Sequence, residues 1–351
     1  MAPPGVSSSS EVVSPSSTAH KMSGAEEKRI VVLDGGFATQ LSCHVDKQID
    51  GDVLWSSRFL ATDKEAVINS HLDFLRAGSD IIMTNTYQAD VKLYAKHLNM
   101  TEEEGYELIK ESVELARTAI KRYSEEHPFS RQPKIVGSVG PYGASLHDGS
   151  EYTGSYAKTT PKEVIRDWHL PRISALVEAG VDMLGLETIP CKIEALVLIE
   201  MLKEKFPHVK AWLSFSVSQD GKTIANGEDF QDTVKYCYDL NPRQLIAVGV
   251  NCVAPSLVEK LINGINKDRK KNPIPLIVYP NSGESYNVEV GWINRDKCEP
   301  VETYVGKWLD MGVTWIGGCC RTYAIDVTRI LREVEKWKRN QLKNQGTSQQ
   351  T

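Results

Sequence analysis

Three of the seven cysteines stand where predicted strands end, which makes them the residues best placed for chemistry. Cys252 closes the run LIAVGVNC, and Cys319 and Cys320 close the run VTWIGGCC. An odd number of cysteines argues against a disulfide framework, and adjacent cysteines suit few disulfide geometries. Thiolates bind Zn²⁺, and Gly317 and Gly318 permit a turn that directs both neighbouring sulfurs to one ion. We therefore predict that these three cysteines bind a zinc ion.

The ligand set predicts the kind of reaction. Three protein ligands leave the fourth zinc position open, as in catalytic rather than structural zinc sites. Hydrolytic zinc sites use histidine and carboxylate, and none of the eight histidines stands at a predicted strand end. Three thiolates donate so much charge that bound water is poorly activated, whereas a substrate thiolate is held deprotonated and nucleophilic. The residues therefore favour alkyl transfer to a thiol over hydrolysis.

The other four cysteines leave alternatives open. Cys191 follows another predicted strand and is a rival ligand, whereas Cys43, Cys237 and Cys298 are predicted to be thiols without a role. A buried free cysteine commonly acts only as a small hydrophobic residue. A second class of function is non-catalytic: the trio buffers zinc or acts as a redox dithiol.

Eight short runs rich in β-branched residues alternate with long amphipathic stretches. These runs are IVVLDGG from Ile30, DIIMTNTY from Asp80, KIVGSVGPYG from Lys134, VDMLGLETIP from Val181, KAWLSFSV from Lys210, LIAVGVNC from Leu245, PLIVYPNSG from Pro275 and VTWIGGCC from Val313. The alternation is typical of βαβ units. It predicts a single (β/α)8 TIM barrel, with a doubly wound sheet as the rival, and long loops after strands 1 and 3 at residues 37–61 and 140–160. The carboxyl ends of the strands then bring the three cysteines to one mouth.

Local motifs predict several helix boundaries. Threonines three residues ahead of a glutamate indicate capping boxes at three helix N-termini: Thr62 with Glu65, Thr101 with Glu104, and Thr160 with Glu163. Pro161 is then expected at the first helical position of the third of these helices. Gly78 and Gly180 each follow the last periodic residue of a helix, where they predict left-handed C-caps.

The composition excludes two classes of partner. The 41 Lys and Arg against 46 Asp and Glu give a net charge of -5 with no basic block, so nucleic acid is not an expected partner. The longest apolar stretch, around residues 195–202, is broken by Glu200 and is far too short for a bilayer span, so no membrane partner is expected. Reduced cysteines and the lack of a targeting signal favour a cytoplasmic protein. The expected state is a monomer or small homo-oligomer.

The ends of the chain differ from its middle. Residues 1–28 are rich in Ser and Pro with few apolar side chains, and we predict that they form a disordered tail. Residues 29–340 are predicted to form the catalytic barrel as one domain. Residues 341–351 are predicted to be a polar C-terminal tail.

Four short motifs at the predicted strand ends occur together in one known family. They are Asp34-Gly35-Gly36, Glu187-Thr188, Gly249-Val250-Asn251-Cys252 and Gly317-Gly318-Cys319-Cys320. This set resembles the homocysteine S-methyltransferase family from about Ile30 to Lys338. Within it, the chain is most similar to the single-domain plant and bacterial enzymes that use S-methylmethionine. It lacks the folate and cobalamin modules of cobalamin-dependent methionine synthase and is shorter than typical betaine-homocysteine methyltransferases.

The resemblance implies a role for each motif. Cys252, Cys319 and Cys320 would be the zinc ligands and carry catalysis, with the homocysteine sulfur as the fourth ligand. Asp34 and Glu187 would hold the homocysteine ammonium group, and backbone amides near Gly35 and Gly36 would hold its carboxylate. Carboxylates for a cation and free N–H groups for an anion are what an amino-acid substrate requires.

The methyl donor is the less defined side of the predicted site. A sulfonium donor is a cation that aromatic rings attract, and five aromatic residues lie in or near the mouth loops: Tyr87, Trp55, Tyr142, Tyr152 and Trp292. Thr86, Asn251 and Asn281 are further candidates for substrate binding. The predicted reaction moves a methyl group from S-methylmethionine to L-homocysteine to form methionine, with S-adenosylmethionine as a poorer donor. The alternative is an enzyme that uses betaine.

Overall fold

Eight of the ten strands form a parallel barrel in the computed structural model, which describes residues 29–287 and 291–348. The ten strands are β1 (Val31–Val32), β2 (Ile81–Met83), β3 (Lys134–Val139), β4 (Met183–Ile189), β5 (Ala211–Phe215), β6 (Leu245–Asn251), β7 (Leu276–Tyr279), β8 (Ser285–Asn287), β9 (Gly291–Ile293) and β10 (Val313–Ile316). The barrel order is β1-β10-β7-β6-β5-β4-β3-β2, and β8 and β9 form a separate antiparallel hairpin. The order follows the chain around the barrel, which confirms the predicted (β/α)8 fold and excludes a doubly wound sheet.

Asp80 connects the two ends of this strand order. Its backbone N–H donates to Val32 O at 2.8 Å, and its Oδ2 accepts from Val32 N–H at 2.9 Å. The Ser79 hydroxyl donates to Leu33 O at 3.3 Å. These bonds join β1 to the segment that enters β2, so the barrel is nearly closed and its strand ends share one mouth.

Eleven α-helices accompany the strands in the described residues. They are α1 (Phe37–Leu41), α2 (Phe59–Thr62), α3 (Lys64–Arg76), α4 (Val91–Leu98), α5 (Glu102–Glu126), α6 (Lys162–Glu178), α7 (Lys192–Lys205), α8 (Phe230–Leu240), α9 (Pro255–Ile262), α10 (Glu302–Asp310) and α11 (Ala324–Ser348). Side chains alternate along each strand, so Val32 and Ile82 pack outward against the helices while Val31, Ile81 and Met83 fill the barrel. None of these helices is long and apolar enough to cross a membrane.

Trp212 packs inside the barrel beneath the mouth. Its indole N–H donates to the Tyr279 hydroxyl at 3.0 Å, and both side chains are fully buried. Gly185 makes room for the indole, since a Cβ there would lie 2.8 Å from the ring. A Cβ at Gly249 would lie 1.9 Å from Ile277 O, so β6 and β7 approach closely only because this residue is glycine. The interior is a packed core, which leaves the mouth as the place for chemistry.

Some of the helix boundaries predicted from the sequence agree with the structure. The capping box at Thr101 is confirmed: its hydroxyl accepts from Glu104 N–H at 3.1 Å, and the glutamate accepts from Thr101 N–H at 2.7 Å. The box predicted at Thr62 is wrong because that residue ends α2. Asp63 caps α3 instead, accepting from Ala66 N–H at 3.0 Å, since an aspartate caps as well as a threonine and stands one residue nearer the helix.

A second predicted box, at Thr160, is also wrong. Pro161 is itself the N-cap of α6, in an extended conformation with ψ of 148°, so the helix begins one residue later than predicted and has no side-chain cap. The two predicted left-handed glycines are confirmed, with φ of 97° at Gly78 and 80° at Gly180.

Extended loops follow β1 and β3. The loop after β1 contains α1 and a short 3₁₀ helix, Trp55–Arg58, and the loop after β3 contains three 3₁₀ helices, Tyr142–Leu146, Ser150–Tyr152 and Ser155–Lys158. The sequence did not predict the hairpin of β8 and β9. Residues 341–348, assigned to a polar tail, continue α11, and the predicted tail of residues 1–28 lies outside the described residues.

A buried arginine on α6 ties together the ends of β2 and β3. The Arg172 guanidinium is 2% exposed and donates to Tyr87 O and Gly140 O, each at 2.6 Å. It lies over the Trp168 ring, 4.5 Å from the centroid. Because each carbonyl belongs to a chain segment entering a mouth loop, this one cation fixes the starting direction of two such loops.

Glu194 on α7 completes this buried cluster. Its Oε1 accepts from Tyr142 N–H at 2.6 Å and from His169 Nε2 at 2.7 Å, and its Oε2 accepts from the Tyr156 hydroxyl. His169 Nδ1 lies 3.1 Å from Arg172 Nη2, which can only donate, so the ring is the neutral tautomer with its proton on Nε2. Burial lowers the pKa of His169, which agrees with this tautomer.

Replacing Arg172 with Met tests the importance of the cluster for stability. Two buried carbonyls lose their donors and Glu194 loses the cation of its cluster, so we expect the free energy of unfolding to fall by about 3–5 kcal/mol. Urea denaturation followed by circular dichroism measures this change.

Arg166 provides the matched control, because it lies on the same helix and pairs with Glu204 at the surface at 2.8 Å. Arg166→Met should cost no more than about 1 kcal/mol. Equal losses in the two variants would show that the buried cluster has no special role.

Candidate metal centre and substrate pocket

The structure brings Cys252, Cys319 and Cys320 together at the barrel mouth. Their three sulfur atoms all lie within 4.8 Å of one another, and the Cys252 and Cys320 sulfurs are 3.5 Å apart. Cys252 directly follows β6, and the adjacent pair follows β10. All three are partly exposed, so a substrate reaches them from the mouth. This is the arrangement that a shared metal ion requires.

Unusual backbone conformations direct these sulfurs to one point. Cys252 has φ of 49°, and Arg321, just after the pair, has φ of 63°, both in the left-handed region that non-glycine residues rarely adopt. The two glycines before the pair are sterically required. A Cβ at Gly317 would lie 2.5 Å from Leu33 Cβ, and one at Gly318 would lie 2.1 Å from Thr322 Oγ1. The Gly-Gly-Cys-Cys motif is therefore a turn in which only the two cysteines have room for side chains.

The sulfurs influence one another's ionisation. Hydrogen bonds from Cys319 and Cys320 lower the pKa of Cys252 well below that of an ordinary thiol. The same contacts with Cys252 raise the pKa of Cys319 and of Cys320. One thiolate forms readily, whereas further ionisation is opposed by its charge. A bound cation removes that opposition, so a soft divalent metal ion fits this donor set.

A buried carboxylate, Glu284, anchors the loop after the cysteine pair through two partly exposed arginines. Arg321 Nε donates to Glu284 Oε2 at 3.2 Å, and Arg295 adds a bond to the same oxygen at 2.9 Å. The Arg321 backbone N–H donates to Thr39 Oγ1 at 2.9 Å, and Ser282 N–H donates to Cys320 O at 3.2 Å. These bonds connect the loop to α1 and to the segment after β7.

Two buried carboxylates, Asp34 and Glu187, also stand at the mouth, after β1 and near the end of β4. Asp34 is fully buried, its Oδ2 accepts from Met83 N–H at 2.7 Å, and its Oδ1 has no partner among the described residues. Glu187 is 5% exposed and accepts a bond from the Ser138 hydroxyl. Burial raises the pKa of Asp34 well above its ordinary value and that of Glu187 to about 7. An unpartnered buried carboxylate oxygen beside a second carboxylate is suited to bind an ammonium group.

The glycines next to Asp34 are closely packed. A Cβ at Gly35 would lie 2.8 Å from Thr322 O, and one at Gly36 would lie 2.4 Å from Cys319 O. The Gly36 N–H already donates to Thr322 O at 2.9 Å. Their first structural role is thus to let α1 approach the cysteine turn, and the Gly36 amide is engaged within the protein.

Asn251 is part of the framework that supports the cysteines. Its Oδ1 accepts from Thr188 N–H at 2.8 Å and from the Ser214 hydroxyl at 2.9 Å, while its Nδ2 donates to Thr188 Oγ1 at 2.8 Å. Nδ2 also lies 3.9 Å from the Cys319 sulfur. The amide of this fully buried side chain is thus committed to β4, β5 and the cysteine turn.

Two other predicted substrate contacts are also engaged within the protein. Thr86 is buried, and its hydroxyl donates to Ser138 O at 2.8 Å. Asn281 donates to Cys252 O at 3.3 Å and accepts from Gly283 N–H at 2.8 Å. The structure places both side chains beside the site, where they stabilise its loops.

Aromatic residues from three mouth loops, those after β1, β2 and β3, lie at or near the site. Tyr87 meets Trp55 edge to face with 5.8 Å between ring centroids. The Tyr152 hydroxyl lies 3.7 Å from the Cys252 sulfur. Tyr142 instead packs against Tyr156 and Trp168 beside the buried cluster of α6 and α7.

The remaining cysteines lie apart from the trio. Cys191 is fully buried in a cluster with Tyr156, 4.0 Å from its hydroxyl, and burial raises the pKa of its thiol to about 12. Among the described residues, the one group of three or more potential metal-binding side chains is the trio, so the rival ligand Cys191 takes no part in it. Cys43 and Cys237 occupy a surface position and the core, respectively.

Three residues at the site, Ser138, Tyr279 and Glu151, were not found from the sequence, and Thr188 was found only as part of a motif, without a role of its own. Ser138, Thr188 and Tyr279 hold the carboxylate and amide side chains, and Glu151 precedes the predicted Tyr152 in its loop. Thr188 and Tyr279 stand at strand ends. The selection of polar residues at predicted strand ends, which identified Glu187 and Asn251, was therefore sufficient to find them. Glu151 lies in an irregular loop, where no sequence pattern predicts which way a side chain points.

The comparisons with known proteins agree with this site. A family model described as homocysteine S-methyltransferase matches residues 31–334. The betaine-homocysteine S-methyltransferase of Drosophila melanogaster is 46% identical over 319 residues, covering 88% of this chain and 96% of that protein. Homocysteine S-methyltransferase 1 of Arabidopsis thaliana is 37% identical over 314 residues, covering 87% of this chain and 93% of that protein.

A solved structure is also similar. It is the metallated form of the homocysteine methyltransferase MmuM from Escherichia coli, which superposes with a TM-score of 0.74 at 34% identity. The similarity covers 87% of this chain and 96% of that one. The family match, residues 31–334, includes all eight barrel strands and the three cysteines. The chain belongs to the homocysteine S-methyltransferase family.

Proposed function

We propose that this enzyme transfers a methyl group from S-methylmethionine to L-homocysteine, forming methionine, at a zinc ion bound by Cys252, Cys319 and Cys320. The observation that carries the proposal is the convergence of three sulfurs within 4.8 Å of one another at the barrel mouth. A zinc ion there supplies the positive charge that keeps the thiol of homocysteine deprotonated at neutral pH.

The metal assignment is supported by the donor set. Three thiolates and no histidine favour zinc or another soft ion over magnesium or calcium. The Escherichia coli relative has been solved in a metallated form, which shows that a protein of this fold with 34% identity binds a metal. The ionisation of the three thiols also favours a bound metal. One thiolate opposes the formation of the next, and a cation relieves this repulsion.

Homocysteine is oriented by groups of this chain. Asp34 and Glu187 accept N–H bonds from its ammonium group, and the unpartnered Oδ1 of Asp34 takes one of them. The buried position of both carboxylates strengthens these charged hydrogen bonds. The substrate thiol is thereby directed toward the cysteine turn.

The transfer itself is an in-line displacement on the methyl carbon. The sulfur of homocysteine forms the new bond to carbon, and the bond from carbon to the donor sulfonium breaks with its electron pair going to the departing sulfur. The departing thioether is neutral, so the reaction needs no general acid. Tyr87 and Tyr152 offer electron-rich surfaces to the sulfonium cation beside the Cys252 sulfur.

A betaine-dependent reaction is the second candidate. It is favoured by the Drosophila melanogaster relative, which is named for betaine and is 46% identical. Betaine also carries its methyl group on a cationic centre, a quaternary nitrogen that departs as a neutral tertiary amine, so the chemistry at the cysteine trio would be the same. The first candidate rests on the resemblance of the strand-end motifs to enzymes that use S-methylmethionine, and the plant relatives are named homocysteine S-methyltransferase without mention of betaine.

A donor panel separates these two reactions. The purified enzyme is incubated with homocysteine and with S-methylmethionine, S-adenosylmethionine or betaine, each labelled in the transferred methyl group. We expect labelled methionine to form fastest from S-methylmethionine, more slowly from S-adenosylmethionine and least from betaine. Label from betaine alone would replace the first candidate with the second.

Removing one ligand tests the metal site. We expect Cys252→Ala to lose bound zinc, measured by mass spectrometry of the metal, and to lose methyl transfer by on the order of a hundredfold or more, since even groups behind a metal ligand cost up to that amount. Cys43→Ala, at an exposed cysteine, is the matched control and should retain zinc and activity. Full activity of the Cys252 variant would disprove the assignment.

A further inference from the structure

A third carboxylate, Glu151, lies near the cysteine trio, close enough for its charge to act on Tyr87 and for the charge of Cys252 to act on it. It belongs to the short 3₁₀ helix Ser150–Tyr152 in the loop after β3. Its Oε2 is buried and has no hydrogen-bond partner among the described residues. The next residue, Tyr152, places its hydroxyl 3.7 Å from the Cys252 sulfur. Glu151 therefore stands one residue from a direct contact with the metal centre.

The position of Glu151 is fixed by its surroundings. Its backbone carbonyl accepts a bond from the Ser216 hydroxyl at 2.8 Å, which attaches the helix to the end of β5. A Cβ at Gly143 would lie 2.7 Å from Glu151 N, so the two 3₁₀ helices of the loop are in close contact. Gly149 and Gly154 flank the helix with φ of 78° and 62°. The backbone that carries this carboxylate is thus held in place by the protein.

The charges around Glu151 are negative. Burial raises its pKa, and the negative charges of Asp148 and Cys252 add to the effect. The carboxylate in turn raises the pKa of Tyr87, after the larger contribution of that residue's own burial. Among the described residues no cation pairs with Glu151. A largely buried carboxylate that faces a thiolate and a phenol without a cation is costly unless a ligand supplies one.

We propose that Glu151 binds the ammonium group of the methyl donor and makes the enzyme selective for donors that are amino acids. The inference rests on the proposed function, because it assigns Asp34 and Glu187 to homocysteine. S-methylmethionine has two cationic groups, a sulfonium and an ammonium. The sulfonium has no N–H to donate and is suited to aromatic faces, whereas the ammonium has three donors and matches a carboxylate.

The selectivity between methyl donors depends on whether the cationic group of the donor has an N–H to donate. The quaternary nitrogen of betaine has no N–H, so it gives Glu151 a charge but no hydrogen bond. A site built to bond an N–H group rejects an analogue that lacks it, because the buried acceptor is then left without a partner. Glu151 thereby favours S-methylmethionine over betaine at the level of binding.

Asp50 provides a matched control. It also lies near the mouth, where its charge raises the pKa of Cys320 after the larger effects of the neighbouring thiols and of burial. Unlike Glu151 it is exposed, and its Oδ1 already accepts from the Trp55 indole N–H at 3.2 Å. Asp50→Asn removes a carboxylate of the same mouth that has both solvent and a protein partner.

The test compares S-methylmethionine with its analogue that lacks only the amino group, 4-dimethylsulfoniobutyrate. We expect Glu151→Gln to raise the KM for S-methylmethionine about 10- to 100-fold, the value of a charged hydrogen bond. The KM values for homocysteine and for the deaminated analogue should not change. Glu151→Asp, which keeps the charge on a shorter chain, should give an intermediate KM, and Asp50→Asn should leave the ratio of the KM values for the two donors unchanged.

The outcomes are distinct. Equal loss with both donors, or loss with homocysteine alone, would overturn the assignment of Glu151 to the donor ammonium. Calorimetry of S-methylmethionine binding, together with the zinc content, separates weak donor binding from a misfolded loop. Weak donor binding leaves the zinc content unchanged, whereas a misfolded loop lowers it. If the parent enzyme accepts methyl groups from betaine alone, the proposed function itself fails, and the inference fails with it. If the parent uses S-methylmethionine and Glu151→Gln leaves its KM unchanged, only the inference fails.

Discussion

The contact among three sulfur atoms from two different strand ends is the interaction on which the rest of the site depends. β7 lies between β6 and β10 and aligns both ends: Cys252 N–H donates to Tyr279 O at 3.1 Å, and Cys319 N–H donates to Pro280 O at 2.8 Å. The sulfurs are thus placed by backbone bonds to consecutive residues of one segment. The close approach of β6 and β7 at Gly249 and the left-handed conformation of Cys252 follow from this requirement.

A charge imbalance is the second property of the mouth. Asp34, Glu187 and Glu151 are largely or fully buried carboxylates with raised pKa values, and they share the mouth with thiols that become anionic when they bind a metal. Such a site is unfavourable when empty and favourable when cations fill it. The proposed substrates carry ammonium and sulfonium groups, which would supply those cations. The buried cluster around Arg172 holds the ends of β2 and β3. Its stabilising bonds offset the unfavourable free energy of the empty mouth.

The sequence was sufficient for the barrel and for the cysteine trio, because both depend on regular features. Buried parallel strands must be apolar runs, and polar residues at their carboxyl ends must meet. The sequence was insufficient where two residues compete to cap one helix, or where tertiary contacts decide which way a side chain points. Asp63 replaced Thr62 as a cap, and Asn251 and Thr86 turned their polar groups into the framework. Glu151 is directed by a bond from Ser216, which stands 65 residues further along the chain.

The most direct test of the metal centre is X-ray absorption spectroscopy of the zinc-loaded enzyme with and without homocysteine. We expect three sulfur ligands at about 2.3 Å and one lighter atom without substrate, and four sulfur ligands when homocysteine is bound. A spectrum that shows nitrogen ligands from histidine, or a sulfur count that does not change on addition of homocysteine, would contradict a three-cysteine centre that binds the substrate thiol.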